Sequence, residues 1–128
     1  MAIELVSAKQ VLAERLKRDP DFRTEWERTA LARAVSVALV KYRAGHGLSQ
    51  RQLAKQLEMP QSQIARLEVG EFNPSIETLQ RLAKGLGRRF IVAVAPPGQT
   101  DDLQLPQGAE VLTDIVLTDG TRLVAATG

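Results

Sequence analysis

Leu48-Ser49-Gln50-Arg51-Gln52-Leu53-Ala54-Lys55-Gln56-Leu57-Glu58-Met59-Pro60-Gln61-Ser62-Gln63-Ile64-Ala65-Arg66-Leu67-Glu68 decides how this chain folds. It reads as two short helices, 50–57 and 61–68, joined by a tight break. Ser49 is a suitable cap for the first helix. Met59 precedes a proline, which pushes it out of the helical region and ends that helix. Helices under about 12 residues are marginal in water, so the two must pack on each other and on neighbours. Leu53, Ala54, Leu57, Ile64 and Leu67 supply the apolar faces, and the small Ala54 lets the helix backbones approach. Gln61, Ser62, Gln63, Ala65 and Arg66 are left facing outward. Amides pair with adenine and guanidinium pairs with guanine in a major groove that admits one helix. Gln61, Ser62 and Arg66 are therefore the expected base readers, with Gln63 at the edge of that set. The plain alternative is a helical bundle with a glutamine-rich surface. Arg66 has its own alternative, an intrahelical ion pair with Glu68 or Glu71.

Upstream, Ser7-Ala8-Lys9-Gln10 has the spacing of a capping box and predicts a helix over 8–18. Asp19-Pro20 stops it and starts another, with Asp as cap and Pro tolerated in the first turn. Phe22, Trp26, Ala30, Leu31, Ala34, Val35, Ala38, Leu39 and Tyr42 recur at spacings of three and four, predicting helix to about Ala44, with Thr29 as the place where it could break. Gly45-His46-Gly47 ends it. Downstream, Ser75 caps a helix over 76–86 that turns Ile76, Leu79, Leu82, Ala83 and Leu86 inward, and Gly85 or Gly87 ends it.

The pattern then changes from helix to strand. Phe90–Ala95 is a β-type run closed by Pro96-Pro97-Gly98, and residues 98–108 look like a linker. Two β-prone runs, 111–118 and 121–127, flank Asp119-Gly120, the strongest short signal for a hairpin, through a two-residue type I′ turn. Strand 90–95 cannot exist alone, because its backbone groups need partners. It pairs either with the hairpin, giving three strands, or with the same strand of a second subunit. Phe90 and Val92 are therefore candidate dimer or partner contacts, as are Phe22 and Trp26, one turn apart on one helix face. Core packing is the plainer reading of the last two.

Charge sorts along the chain. Residues 1–40 carry seven basic and six acidic groups, 41–89 carry nine and four, and 90–128 carry one and five. A basic middle suits a phosphate backbone, and an acidic tail should face elsewhere. The positive end of helix 50–57, with Ser49 and Gln50, suits a phosphate. Arg51, Lys41, Arg43 and Asn73 are further candidates for contacts that set register without reading sequence.

With no cysteine, neither disulfides nor thiolate metal sites are expected. The only histidine, His46, lies between glycines, no acidic cluster suggests a metal, and no phosphate-cradling glycine motif occurs. An enzyme, a metal and a cofactor are all unexpected. No apolar run approaches the roughly 18–20 residues of a membrane span, and Met1–Val6 is too short and acidic for a leader, so the cytoplasm is the default location.

Taken together, Leu48-Ser49-Gln50, Leu53-Ala54, Leu57, Gln61-Ser62, Ile64-Ala65, Leu67-Glu68, Gly70, Asn73-Pro74-Ser75, Thr78-Leu79 and Leu82-Ala83 resemble the lambda-repressor and Cro-type helix-turn-helix family, called XRE. The likeness covers roughly 31–87. It implies a mainly α fold: a five-helix domain with an N-terminal helical extension and a small C-terminal β element. The divisions are 1–29, 30–88 and 89–128. By that resemblance Gln61, Ser62 and Arg66 fall where the family reads bases, Gln50 where it contacts phosphate and braces the recognition helix, and Asn73 where the following loop approaches the backbone. Two residues depart from the pattern: Glu58 stands where the family has glycine, and Pro60 where it has a hydroxyl cap. The N-terminal stretch Asp19-Pro20-Asp21-Phe22 and Glu25-Trp26-Glu27, running through an alanine-rich helix, resembles the HigA-type antitoxins. That resemblance implies a homodimer on a palindromic double-stranded operator, repressing its own promoter and neutralising a RelE/HigB-like ribonuclease toxin. The alternative is a stand-alone regulator whose C-terminal region binds another protein or a ligand.

Overall fold

The computed structural model describes residues 2–99 and 103–128, with backbone alone for 2–6. Six helices precede three strands: α1 Ala2–Arg18, α2 Pro20–Arg28, α3 Ala30–His46, α4 Gln50–Leu57, α5 Gln61–Val69, α6 Ile76–Leu86, β1 Phe90–Ala95, β2 Glu110–Val116 and β3 Arg122–Thr127. The chain is mainly α with a C-terminal β element, as expected. Residues 30–88 hold four helices, α3 to α6, and α1 and α2 precede them.

Local chemistry sets most of these boundaries. Asp19 accepts from the Phe22 amide at 3.0 Å and Pro20 fills the first turn, so α2 starts there. Ser49 and Gln52 form a reciprocal capping box on α4. Ser75 accepts from the Thr78 amide at 3.1 Å and caps α6. Thr29 divides the long helical segment, as its sequence allowed, and offers α3 no side-chain cap. The cap comes from 41 residues away: the Asn73 carbonyl oxygen accepts from the Ala32 amide at 3.1 Å.

Some boundaries moved. Helix α1 begins at Ala2, not near Ser7. Nothing in Ala2–Val6 breaks a helix, so the hydroxyl of Ser7 lies inside it and caps nothing. Helix α3 runs on to His46, which is exposed, stacks on Tyr42 at 3.9 Å and ends at left-handed Gly47. Gly87 is the C-cap of α6, whereas Gly85 is a packing residue. A Cβ on Gly85 would sit 2.0 Å from Leu57 Cδ2, so α4 and α6 pack closely there and a side chain would force Leu57 to shift.

The core gathers Val35 and Leu39 of α3, Leu53, Ala54 and Leu57 of α4, Met59 of the turn, Ile64 and Leu67 of α5, and Leu82 and Leu86 of α6. Phe90, the first residue of β1, packs at its edge. The apolar positions read from the sequence supply most of this core. Ile76, read as inward, is exposed instead.

The sheet order is β1-β3-β2, all neighbours antiparallel. Strand 90–95 thus pairs with the hairpin inside the chain. The hairpin forms, but not through a two-residue turn. Val116 opposes Arg122, and Leu117 donates to the Thr121 carbonyl at 2.7 Å, leaving a three-residue loop, 118–120. Only Gly120 takes positive φ there; Asp119 instead accepts from the Thr121 amide and hydroxyl. Those bonds hold the Asp119 carboxyl below its ordinary value. A turn followed by one left-handed glycine is the usual three-residue solution.

Sheet and helices are joined by charge. Lys41 pairs with Glu110 of β2, and Arg88 lies 4.0 Å from the same carboxylate. Glu27 of α2 accepts from the Thr118 amide and hydroxyl at 2.8 and 2.6 Å. The supposed linker carries part of this structure. It must return from Ala95, at one end of the sheet, to Glu110 at the other, and Leu103 and Leu105 within it are half-buried. Residues 100–102 of it lie outside the described residues. Among the described residues no helix is long and apolar enough to cross a membrane.

Candidate nucleic-acid interface

Helices α4 and α5 meet through residues 58–60. Glu58 has φ 54° and ψ 42°, the left-handed conformation that favours glycine, and is the only described non-glycine residue with positive φ. Its amide and that of Met59 still bond back to Lys55 and Ala54. The turn therefore keeps the geometry of a glycine turn without the glycine, and stores about 1 kcal/mol of backbone strain. Glu58→Gly is expected to raise stability by up to about 1 kcal/mol, because relief of strain outweighs the extra chain entropy of glycine. Thermal denaturation reads this directly, and a lowered Tm would show that the Glu58 backbone is unstrained.

Pro60 is the N-cap of α5 with extended backbone and no side-chain cap bond. Its carbonyl takes both the Gln63 and Ile64 amides, at 3.0 and 3.3 Å, so the first turn closes without a hydroxyl. Both departures from the family pattern are thus absorbed locally.

Gln61, Ser62 and Arg66 are exposed, and Gln63 is half-buried. Ser62 and Arg66 lie one turn apart on one face, with Gln61 beside them at the N-terminal edge. The Arg66 guanidinium rests over the Phe72 ring, 4.5 Å from its centroid. Among the described residues Arg66 makes no ion pair, and neither Glu68 nor Glu71 engages it.

Glu68 is occupied elsewhere. It is only 7% exposed and takes a forked pair from Arg43, Nε at 2.8 Å and Nη2 at 2.7 Å. Gln50 Nε2 reaches the same carboxylate at 3.4 Å, and the Glu68 backbone carbonyl accepts from Ser36 Oγ at 2.6 Å. Arg43 also donates to the Leu48 carbonyl at 3.2 Å. One carboxylate thus ties α3, the start of α4 and α5 together. The pairing with Glu68 holds the Arg43 pKa above its ordinary value.

The expected phosphate contacts separate accordingly. Gln50 Nε2 lies 3.4 Å from the Glu68 carboxylate of α5. Arg51 is exposed and, among the described residues, makes no ion pair. Ser49 spends its hydroxyl on its own helix. Arg43 is committed to Glu68, and Lys41 to Glu110 on the sheet. Asn73 spends both ends of its amide inside the fold, on the Ala32 amide and on the Arg28 carbonyl at 2.8 Å. Arg43 and Asn73 therefore help to hold the helices together, while Lys41, 59% exposed, pairs with the sheet. Elsewhere, Phe22 and Trp26 are half-buried, their rings 6.0 Å apart, covered by Arg15 and Arg33 at 3.9 and 3.5 Å.

The Arg43–Glu68 clamp was missed in the sequence, although a signal for it exists. Ile64 and Glu68 are one turn apart, so a carboxylate shares the core face of α5. Charges placed there need partners, and Arg43 precedes it on the neighbouring helix. Asn73 gave no such signal, because a cap delivered across 41 residues has no local spacing.

A helix-turn-helix family model matches residues 39–91, from the second half of α3 to the start of β1. Antitoxin HigA1 from two strains of Mycobacterium tuberculosis, CDC 1551 / Oshkosh and ATCC 25618 / H37Rv, is 31% identical to this chain over 86 residues. The alignment takes in 67% of this chain and 58% of each relative, so the chain spans little more than half the length of the curated relatives it matches. No solved structure matches the chain significantly.

Proposed function

We propose that this chain, whose residues 39–91 carry a helix-turn-helix domain of the XRE type, is a sequence-specific DNA-binding repressor. It acts as a homodimer on a palindromic operator at its own promoter, and as the antitoxin that neutralises a RelE/HigB-like toxin. The observation that carries the DNA-binding part is the split character of α5. Its inner face, Ile64, Leu67 and Glu68, is fixed by core and clamp, while Gln61, Ser62 and Arg66 stand exposed with no competing ion pair among the described residues. A rigid helix that shows amides and a guanidinium is suited to base edges in a major groove. Gln63 can reach the same groove from the edge. Arg51 and the N-terminus of α4 supply phosphate contacts, with Gln50 holding the two helices in register. The antitoxin part is supported by the 31% identity to Antitoxin HigA1 of Mycobacterium tuberculosis.

The experiment uses DNA from immediately upstream of the coding sequence, titrated by fluorescence anisotropy against scrambled DNA of equal length. Preference for the upstream DNA by at least about 10³-fold is expected. Equal affinity for both would remove the repressor reading. Co-expression with the adjacent reading frame addresses the antitoxin part. A small basic toxin that co-purifies with this chain supports it, and independent elution of the two counts against it.

A further inference from the structure

Among the described residues, strand β1 leaves one hydrogen-bonding edge open. Arg89 and Gly128 exchange both backbone bonds, at 2.9 and 3.0 Å. Antiparallel strands alternate bonded and non-bonded pairs, so Ile91, Ala93 and Ala95 turn their amides and carbonyls toward β3. Phe90, Val92 and Val94 turn theirs outward, and among the described residues no backbone bond reaches them. Val92 and Val94 are 42% and 65% exposed.

The sheet treats its two edges differently. Strand β2 carries a bulge between Val111 and Thr113, bears Glu110 and Asp114, and lies against α3. Bulges, charges and a covering helix are the devices that keep an edge from pairing. Strand β1, Phe-Ile-Val-Ala-Val-Ala, has no charge and no proline, and its register with β3 is unbroken.

We propose that β1 pairs antiparallel with β1 of a second copy of this chain, centred on Val92, joining two three-stranded sheets into one of six. The symmetry follows from the chain itself. With Val92 opposite Val92 across a twofold axis, Phe90 of one copy faces Val94 of the other. Every outward amide then meets an outward carbonyl, and the exposed valines of both copies share one face. A slide of one residue would set outward-facing groups opposite inward-facing ones and break the ladder. Pro96-Pro97 ends the ladder, since proline cannot donate. This deepens the repressor reading and rests on it for its purpose: a palindrome is read by two recognition helices about 34 Å apart.

The chain has no cysteine, so single cysteines report the register cleanly. Val92→Cys places two thiols on a hydrogen-bonded pair with Cα atoms about 5.5 Å apart, within disulfide reach. Val94→Cys places them about four residues, or ~13 Å, out of register. Under oxidation without DNA, the first is expected to give at least about tenfold more covalent dimer than the second. Light scattering supplies the second readout. The wild-type chain should be a dimer at micromolar concentration. Val92→Pro, which removes an outward donor and leaves the β1–β3 ladder intact, should be a monomer with unchanged helix content. Val94→Lys should match it if the proline variant fails to fold. A monomeric wild-type chain, a proline variant that remains a dimer, or equal crosslinking at both positions would overturn the pairing. So would loss of a co-expressed partner, rather than of the dimer, in Val92→Pro, since the edge would then belong to that partner. None of these outcomes touches base recognition, which the upstream-DNA titration tests separately.

Discussion

Arg43→Ala is expected to destabilise the folded chain by about 3 kcal/mol, near the lower end of what removing one partner of a buried ion pair costs. The reason is the state in which it leaves Glu68. That carboxylate is 7% exposed, and without Arg43 it keeps only the 3.4 Å contact from Gln50. A carboxylate buried without a counter-charge must either shift its protonation or draw water into the joint between α3 and α5. Arg43→Lys should recover only part of the loss, because an ammonium cannot repeat the forked pair or reach the Leu48 carbonyl at the same time. Replacing both partners with Met and Leu should be close to neutral, since no charge is then left unpaired. Chemical denaturation of the three variants separates these cases. A loss below about 0.5 kcal/mol in Arg43→Ala would show that solvent screens the pair, as it does on open surfaces.

Arg43 also shows where sequence reading reaches its limit. The helices of the middle domain were legible because their apolar spacing, caps and breakers are local, and Ser49, Met59-Pro60, Gly70 and Ser75 each act within a few residues of their place in the chain. The outward set Gln61, Ser62 and Arg66 was legible for the same reason: periodicity alone separates the two faces of α5. The uses of Arg43, Lys41 and Asn73 were not legible. Each is a polar side chain on the basic, outward-looking part of the sequence, yet each meets a partner 25, 69 or 41 residues away. Composition assigned them to a phosphate backbone, whereas tertiary structure spends them on a buried carboxylate, an edge strand and a helix N-terminus. The acidic C-terminal segment, expected to face away from a phosphate backbone, meets basic groups within the chain itself. Lys41 beside Glu110 and Arg122 beside Asp114 hold both carboxyls below their ordinary values.

Arg66→Ala is expected to cost about 1–3 kcal/mol on the cognate operator, a loss of roughly 5- to 150-fold, with little change on unrelated DNA. The size depends on how well the guanidinium is held before it meets a base. At 4.5 Å over the Phe72 ring its plane is already fixed, so less side-chain entropy remains to be lost when it binds. Phe72 thereby becomes a lever on specificity without touching DNA. Phe72→Leu keeps most of the volume this half-buried ring contributes to the core edge, but removes the stacking face. It should weaken the cognate site in the same direction as Arg66→Ala and by less. The double variant should lose no more than Arg66→Ala alone, because the ring acts only through the guanidinium. Titrations at fixed salt on cognate and scrambled DNA test all three variants. A loss shared equally by both DNAs, together with a salt slope reduced by about one, would make Arg66 a phosphate contact. Base readout by α5 would then rest on Gln61 and Ser62 alone.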